Sequence, residues 1–335
     1  GSYLNAAAFD NSTVVINGNV VMDKVILGAY VGTDDNPGSV VTVNGDIATS
    51  DLDLTSQGSK VLTGTVTIDG RDKQWGSIDP VSGQPVIVQL DASANKTITA
   101  QGSISLSGAG GAILDSRSVS NGVGHQFNLH NGASLNLDNS TAANSNRLAD
   151  SMNIDMGENA TVALLGNDTT AVSETVGAVH LRRGTIDSNV ESYYNLGEST
   201  IHIDNGAAGA SLTADGLQID DHRWLNISTG NGQTLGSGPA FMLNNAPVLN
   251  NGLVDDVLVN RKEFASYDGV NGVIAATTTT DINTATAGDN VLVDTSTALG
   301  GTATVNSLAV AADITGAGAI NVTSGNLLLA DGVTN

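Results

Sequence analysis

The stretch of this 335-residue chain with the most chemistry in it is IDDHRW, Ile219 to Trp224. Asp220 or Asp221 could ligate a cation or act as a base, and His222 could shuttle a proton. Arg223 could hold a carboxylate and Trp224 could stack on a sugar. Adjacent residues of a strand point to opposite faces, however, so these side chains converge only if the segment is a loop. No second cluster supports catalysis, and the expectation is a solvated turn or ion-pair patch on a protein that is not an enzyme. The other histidines, His125, His130, His180 and His202, stand singly without a partner at ligand spacing, as surface strand residues do. The chain has no nucleophile elbow and no phosphate-binding loop. Acidic corners at Asp34-Asp35 and Asp255-Asp256 are candidate Ca²⁺ sites, the only cofactor the sequence suggests. The pair Tyr193-Tyr194, with Trp224, is a candidate contact site for a glycan or a neighbouring molecule on a chain that is only 3% aromatic.

The charge balance narrows the partners. With 34 acidic and 12 basic residues the net charge is −22, which repels phosphate backbones and anionic lipid, so nucleic acid and membrane surfaces are not expected partners. No apolar run reaches the length of about 18 residues that a membrane span needs. Cysteine is absent, so disulfides and Cys-ligated metals are excluded from this chain.

The elements that would position these residues are strands. Asn-Gly and Asp-Gly steps separate short runs with an aliphatic residue at every second position: VVTVNGDIA (Val40 to Ala48), TVTIDG (Thr65 to Gly70), QFNLHNGASLNL (Gln126 to Leu137), TIHIDNG (Thr200 to Gly206) and AINVTSGNLLLADG (Ala319 to Gly332). Such runs are half-buried strands, and the fold class is all-β. The best helical candidate, Ser145 to Met156, runs into alternation at Met152, Ile154 and Met156, which favours a strand. In an antiparallel sandwich Asn-Gly would make type I′ hairpin turns. A parallel β-solenoid accounts better for small aliphatic inward positions recurring over the whole length, because each coil buries its apolar stripe only by stacking on the next. The expected inward stripe includes Val41, Val43, Leu129, Leu135, Leu137, Ile154, Val162, Ile201, Ile203, Ile320 and Val322. Coils of about 20 residues would number some 15 to 17 and form a rod roughly 70 to 80 Å long. Alternation lapses at Arg71 to Pro85, Asp115 to His125 and Asp187 to Ser199, which are expected as loop excursions.

Specific residues add a resemblance. Asn144 to Val190 carries R-L-x-D (Arg147, Leu148, Asp150), then L-x-G-N (Leu164, Gly166, Asn167), S-E-T-V-G (Ser173 to Gly177) and a closing strand with Val179, Leu181 and Gly184. This resembles a recurrent module of large bacterial surface proteins with autotransporter-associated β-strand repeats. Glu263 to Thr280 is similar to a linking element of those proteins, and Ile314 to Gly332 to the strand repeat itself. The resemblance implies a right-handed parallel β-helix with loop excursions. It also implies one elongated segment, 1–335, of a longer protein with a module junction near 262–280, located outside the cell on a bacterial surface. The implied role is a structural stalk or matrix element that stacks on adjacent copies or flanking modules. The alternatives are an adhesin for a host or cell-surface ligand and, ranked last, a polysaccharide-degrading enzyme.

Overall fold

The computed structural model describes residues 2–9, 11–29, 39–54, 56, 58–68, 71–78, 85–91, 98–100, 103–115, 126–182 and 197–330. Among them the chain is all-β, with no helix, and most strands lie in parallel sheets. The longest sheet begins Thr13–Ile16, Val40–Val43, Ser59–Leu62, Ser103–Leu106, Ser134–Asp138, Thr161–Leu165, Glu198–Asp204, Trp224–Thr229 and Val257–Val259, each strand parallel to the next. A second long sheet runs from Tyr3–Ala8 through Val20–Ala29, Ile47–Leu54, Ile98–Ala100, Gln126–Leu129, Asn153–Met156 and Val179–Leu181 to Leu217–Ile219. A third holds Val172–Val176, Ala210–Ala214 and Ala240–Leu243. From Thr161 to Leu243 the chain visits these three sheets in turn and then starts again one strand higher.

Alternation in the sequence becomes columns in the structure, because parallel pairing in register places like positions above one another. Val14, Val41, Lys60, Ile104, Leu135, Val162, Ile201, Ile227 and Val259 form one inward column. Ile16, Val43, Leu62, Leu106, Leu137, Leu164 and Ile203 form its neighbour. Of the residues expected inward, Val41, Val43, Leu129, Leu135, Leu137, Ile154, Val162, Ile201 and Ile203 are all buried in one core cluster. Ile320 and Val322 are only partly buried, on an edge strand of a separate, smaller cluster. Along the longest sheet most rungs are longer than a 20-residue coil implies. The step between paired residues is 19 from Val41 to Lys60 but 44 from Lys60 to Ile104. That larger step contains an antiparallel pair, Arg71–Ile78 with Pro85–Asp91, whose first strand falls in the segment Arg71 to Pro85 expected as a loop. At roughly 4.8 Å per strand, the longest sheet rises about 40 Å over its parallel part.

Three of the Asn-Gly steps are corners between sheets, whereas Asn251-Gly252 and Asn271-Gly272 lie in turns between antiparallel strands. Asn17-Gly18, Asn44-Gly45 and Asn131-Gly132 each join a strand of one long sheet to a strand of the other, so they close no hairpin. At the corner the asparagine side chains bond along the stack: Asn44 Nδ2 donates to Asn17 Oδ1 at 2.8 Å, and Thr63 Oγ1 donates to Asn44 Oδ1 at 3.1 Å. Glycine is needed for close approach, since a Cβ on Gly45 would collide with the carbonyl of Gly18 one rung below.

The motif residues Arg147 and Glu174 lock another corner. Arg147 is fully buried. Its Nε donates to Asn139 Oδ1 at 2.9 Å, Nη1 to Gly111 O at 2.6 Å, and Nη2 to Gly108 O and Ala142 O at 3.0 and 2.9 Å. The Glu174 carboxylate accepts the backbone N–H groups of Arg147 and Leu148 from the next rung, at 3.0 and 2.8 Å. Burial pushes the Glu174 carboxyl up to about 7, against the lowering effect of those two bonds and of the Arg147 charge. Asn167 extends the lock, with Nδ2 donating to Asn139 O at 2.8 Å. The side chains that carry the resemblance thus satisfy buried backbone groups where the chain turns.

Direction changes near the expected junction. Val257–Val259 pairs antiparallel with Glu263–Asp268, which turns through Gly272, at φ 76°, into the antiparallel strand Gly272–Ala275. Beyond it, short parallel strands from Asn290–Val293 to Leu327–Leu329 pair at steps of 17 to 19 residues around their own core of Ile282, Val291, Val293, Val305 and Leu308. Leu253, Leu258, Phe264 and Ala276, with Leu328 packed against them, form a small apolar cluster between the two cores.

Candidate functional site

The turn that carries IDDHRW distributes its side chains in three directions. Leu217–Ile219 ends the second long sheet, and Arg223 N donates to Asp220 O at 3.1 Å to close a tight turn with His222 at φ 65°. Trp224–Thr229 then enters the longest sheet. Asp220 turns back to the second sheet, where its Oδ1 lies 2.9 Å from His180 Nε2. Arg223 points inward and is fully buried, with Nη2 donating to Ser199 Oγ at 2.6 Å and Gly157 O at 3.0 Å, while Nε and Nη1 have no partner among the described residues. Burial lowers the affinity of this guanidinium for its proton, and the charges of Glu158 and Asp220 oppose that effect. Asp221, His222 and Trp224 face outward.

The outward three meet a residue from another rung. Leu225 N donates to Asp256 O at 2.9 Å and Leu225 pairs with Val257, so Asp256 sits beside Trp224 in the stack. Asp221, His222, Trp224 and Asp256 line an open groove of about 470 Å³. Asp256, at φ 58°, holds a left-handed backbone conformation that aspartate tolerates better than most residues. Its carboxyl is pushed above the usual range, first by burial and then by the neighbouring charges of Asp255 and Asp221, with His222 acting the other way. Trp224 is 41% exposed. Glu198, its register partner on the opposite side, is engaged by Arg261 Nε at 2.5 Å.

A second polar group lies on the outer face of the second sheet. In register, Asn128, Asp155, His180 and Gln218 form one column. Asp155 is buried, accepts from Arg182 Nε at 2.7 Å and from Gln126 Nε2, and lies 3.6 Å from His180 Nδ1. Desolvation raises its carboxyl, while Arg182 and His180 pull it down. With Asp220 Oδ1 against His180 Nε2, the side chains of Arg182, Asp155, His180 and Asp220 form a connected polar ladder, while Asn128 Oδ1 in the same column is buried without a partner among the described residues.

Of the residues singled out in the sequence, Trp224 and Asp256 come together, with Asp255 next to the groove. Asp34, Asp35, Tyr193, Tyr194 and His125 lie outside the described residues. Among the described residues no group of three or more His, Asp or Glu is arranged to hold a metal ion. His202 bonds Ser228 Oγ through Nδ1 at 2.9 Å. The pairing of Asp155 with His180 was not evident in the sequence. Its only signal was the shared outward parity of NIDM and VHL. Comparison with protein-family models, with curated proteins and with solved structures gives no match.

Proposed function

We propose that this chain is a segment of a right-handed parallel β-helix that serves as a structural stalk or matrix element on a bacterial cell surface. The observation that carries the reading is the unbroken parallel register of the first nine strands of the longest sheet, in which nearly every inward residue is covered by its equivalents above and below. The right hand follows from the general rule for crossovers between parallel strands of one sheet. The resemblance of Asn144 to Val190 to repeats of bacterial surface proteins supports the location.

Edge strands support stacking on adjacent copies or flanking modules. Tyr3, Phe9 and Val15 are 70%, 56% and 50% exposed on or beside Tyr3–Ala8 and Thr13–Ile16, and among the described residues each of these strands is paired on one side only. Leu327 and Leu329 are similarly exposed on the edge strand at the other limit. Unpaired strand edges bearing apolar side chains template further strands. Electron microscopy of the purified chain over a range of concentrations tests the reading. The expected result is end-to-end association that Leu327→Lys with Leu329→Lys reduces and that added salt does not abolish. Compact globular dimers insensitive to those changes would overturn it. No turnover of acidic glycans is expected, and cleavage abolished by substituting Asp220 or Asp221 would transfer the protein to the enzyme reading. The adhesin reading is favoured by one observation, the exposed tryptophan of the Asp221–Asp256 groove.

A further inference from the structure

We propose that the Trp224 groove is a binding site for a sugar carrying a free amine. Three features of the groove converge on this chemistry. The first is an exposed indole, Trp224, held on a strand whose Leu225 and Ile227 are anchored in the core, which makes it a rigid platform for the apolar face of a pyranose. The second is a set of carboxylates left without partners. Elsewhere in this chain Asp side chains close turns: Asp268 accepts from Val270 N and Asn271 N, and Asp289 from Thr286 N. The carboxylates of Asp221 and Asp256, which line the groove, and of Asp255 next to it accept no hydrogen bond and join no ion pair among the described residues. They have acceptor capacity to offer a ligand.

The third feature is electrostatic. Asp256 is half-buried beside two other carboxylates, and Arg261 is committed to Glu198. A cation entering the groove relieves that repulsion and can also lie against the indole face. A chain of net charge −22 disfavours uronic or sialic acids at the same place. The acceptors come from two rungs, Asp221 and His222 from one turn and Asp256 from the turn before Val257–Val259. They therefore surround the platform, which suits a ring with an amine and several hydroxyls better than the single charge of a lysine tail. A groove of about 470 Å³ accommodates one such ring.

Tryptophan fluorescence of the full chain, titrated at low salt, tests the proposal with a glucosamine tetrasaccharide bearing free amines, its fully N-acetylated counterpart and tetralysine. Saturable binding of the amino sugar is expected, at least tenfold tighter than of the acetylated sugar or tetralysine. Trp224→Ala and Asp256→Asn should each weaken it at least tenfold without changing the melting temperature; asparagine is chosen because it tolerates the left-handed backbone at this position. Calorimetry provides the readout for Trp224→Ala. Equal binding of the two sugars would overturn the proposal, as would tetralysine binding as tightly as the amino sugar, Asp256→Asn binding like the parent, or no saturable binding at all.

Discussion

Lys60 is the inward residue that the stacking argument does not accommodate, and replacing it with methionine gives a quantitative test of the core. Its side chain is fully buried between Val41 and Ile104 in an aliphatic column, and Nζ donates to Ser56 O. Burial lowers its pKa from 10.5 to about 7, although Asp53 acts in the opposite direction. Between pH 7 and 10.5 the unfolded chain therefore holds a proton that the folded chain has released, so stability rises with pH across that window. A shift of this size corresponds to roughly 5 kcal/mol, in full at pH 7 and below and vanishing near pH 10.5. Methionine fills similar space without a charge but leaves the Ser56 carbonyl short of one donor, at about 1 to 2 kcal/mol. Lys60→Met should thus stabilise the protein by about 3 kcal/mol at pH 6 and slightly destabilise it at pH 10. Urea denaturation of both proteins at the two pH values measures the difference. A variant less stable than the parent at pH 6, or a difference independent of pH, would refute the reasoning.

Glu174 gives the opposite pH dependence. Its carboxyl is raised from 4.5 to about 7, so the folded state binds the extra proton and stability falls between those values by roughly 3 kcal/mol. Glu174→Gln should flatten the urea midpoint over that range while keeping one acceptor for the Arg147 and Leu148 amides. Leu137→Asp, which places an unpaired charge between Leu106 and Leu164, should cost several kcal/mol; an unchanged melting temperature would remove Leu137 from the core. Gly45→Ala forces a Cβ into the Gly18 carbonyl and should cost about 2 kcal/mol or more, read by the same melt.

Much of the fold was legible because strand periodicity is local. The runs around Val41, Leu135 and Ile201 announce their buried faces within a few residues, and those side chains are buried. The functional groove was less legible. Trp224 and Asp256 were each singled out, but no spacing rule joins residues thirty-two apart across an irregular rung. The IDDHRW segment reads as one cluster in sequence, yet the turn sends Asp220 to His180, Arg223 into the core, and Asp221, His222 and Trp224 to the groove. The Arg147 and Glu174 motif was recognisable by resemblance, while the backbone groups it satisfies lie as far away as Gly108.

By itself the amino-acid sequence determined that the protein is all-β, which residues of each run share a face, and that no strongly anionic partner suits a chain of charge −22. Those properties depend on side-chain type and on a period of two, and both are present in any short window. Only the tertiary structure decided which Asn-Gly steps are corners and which close antiparallel pairs, that Lys60 lies in the core, and that Asp256 stands beside Trp224. Each of these is a question of register between strands 19 to 44 residues apart. Register is set by the combined packing of every inward column on the rungs above and below, which no local stretch contains.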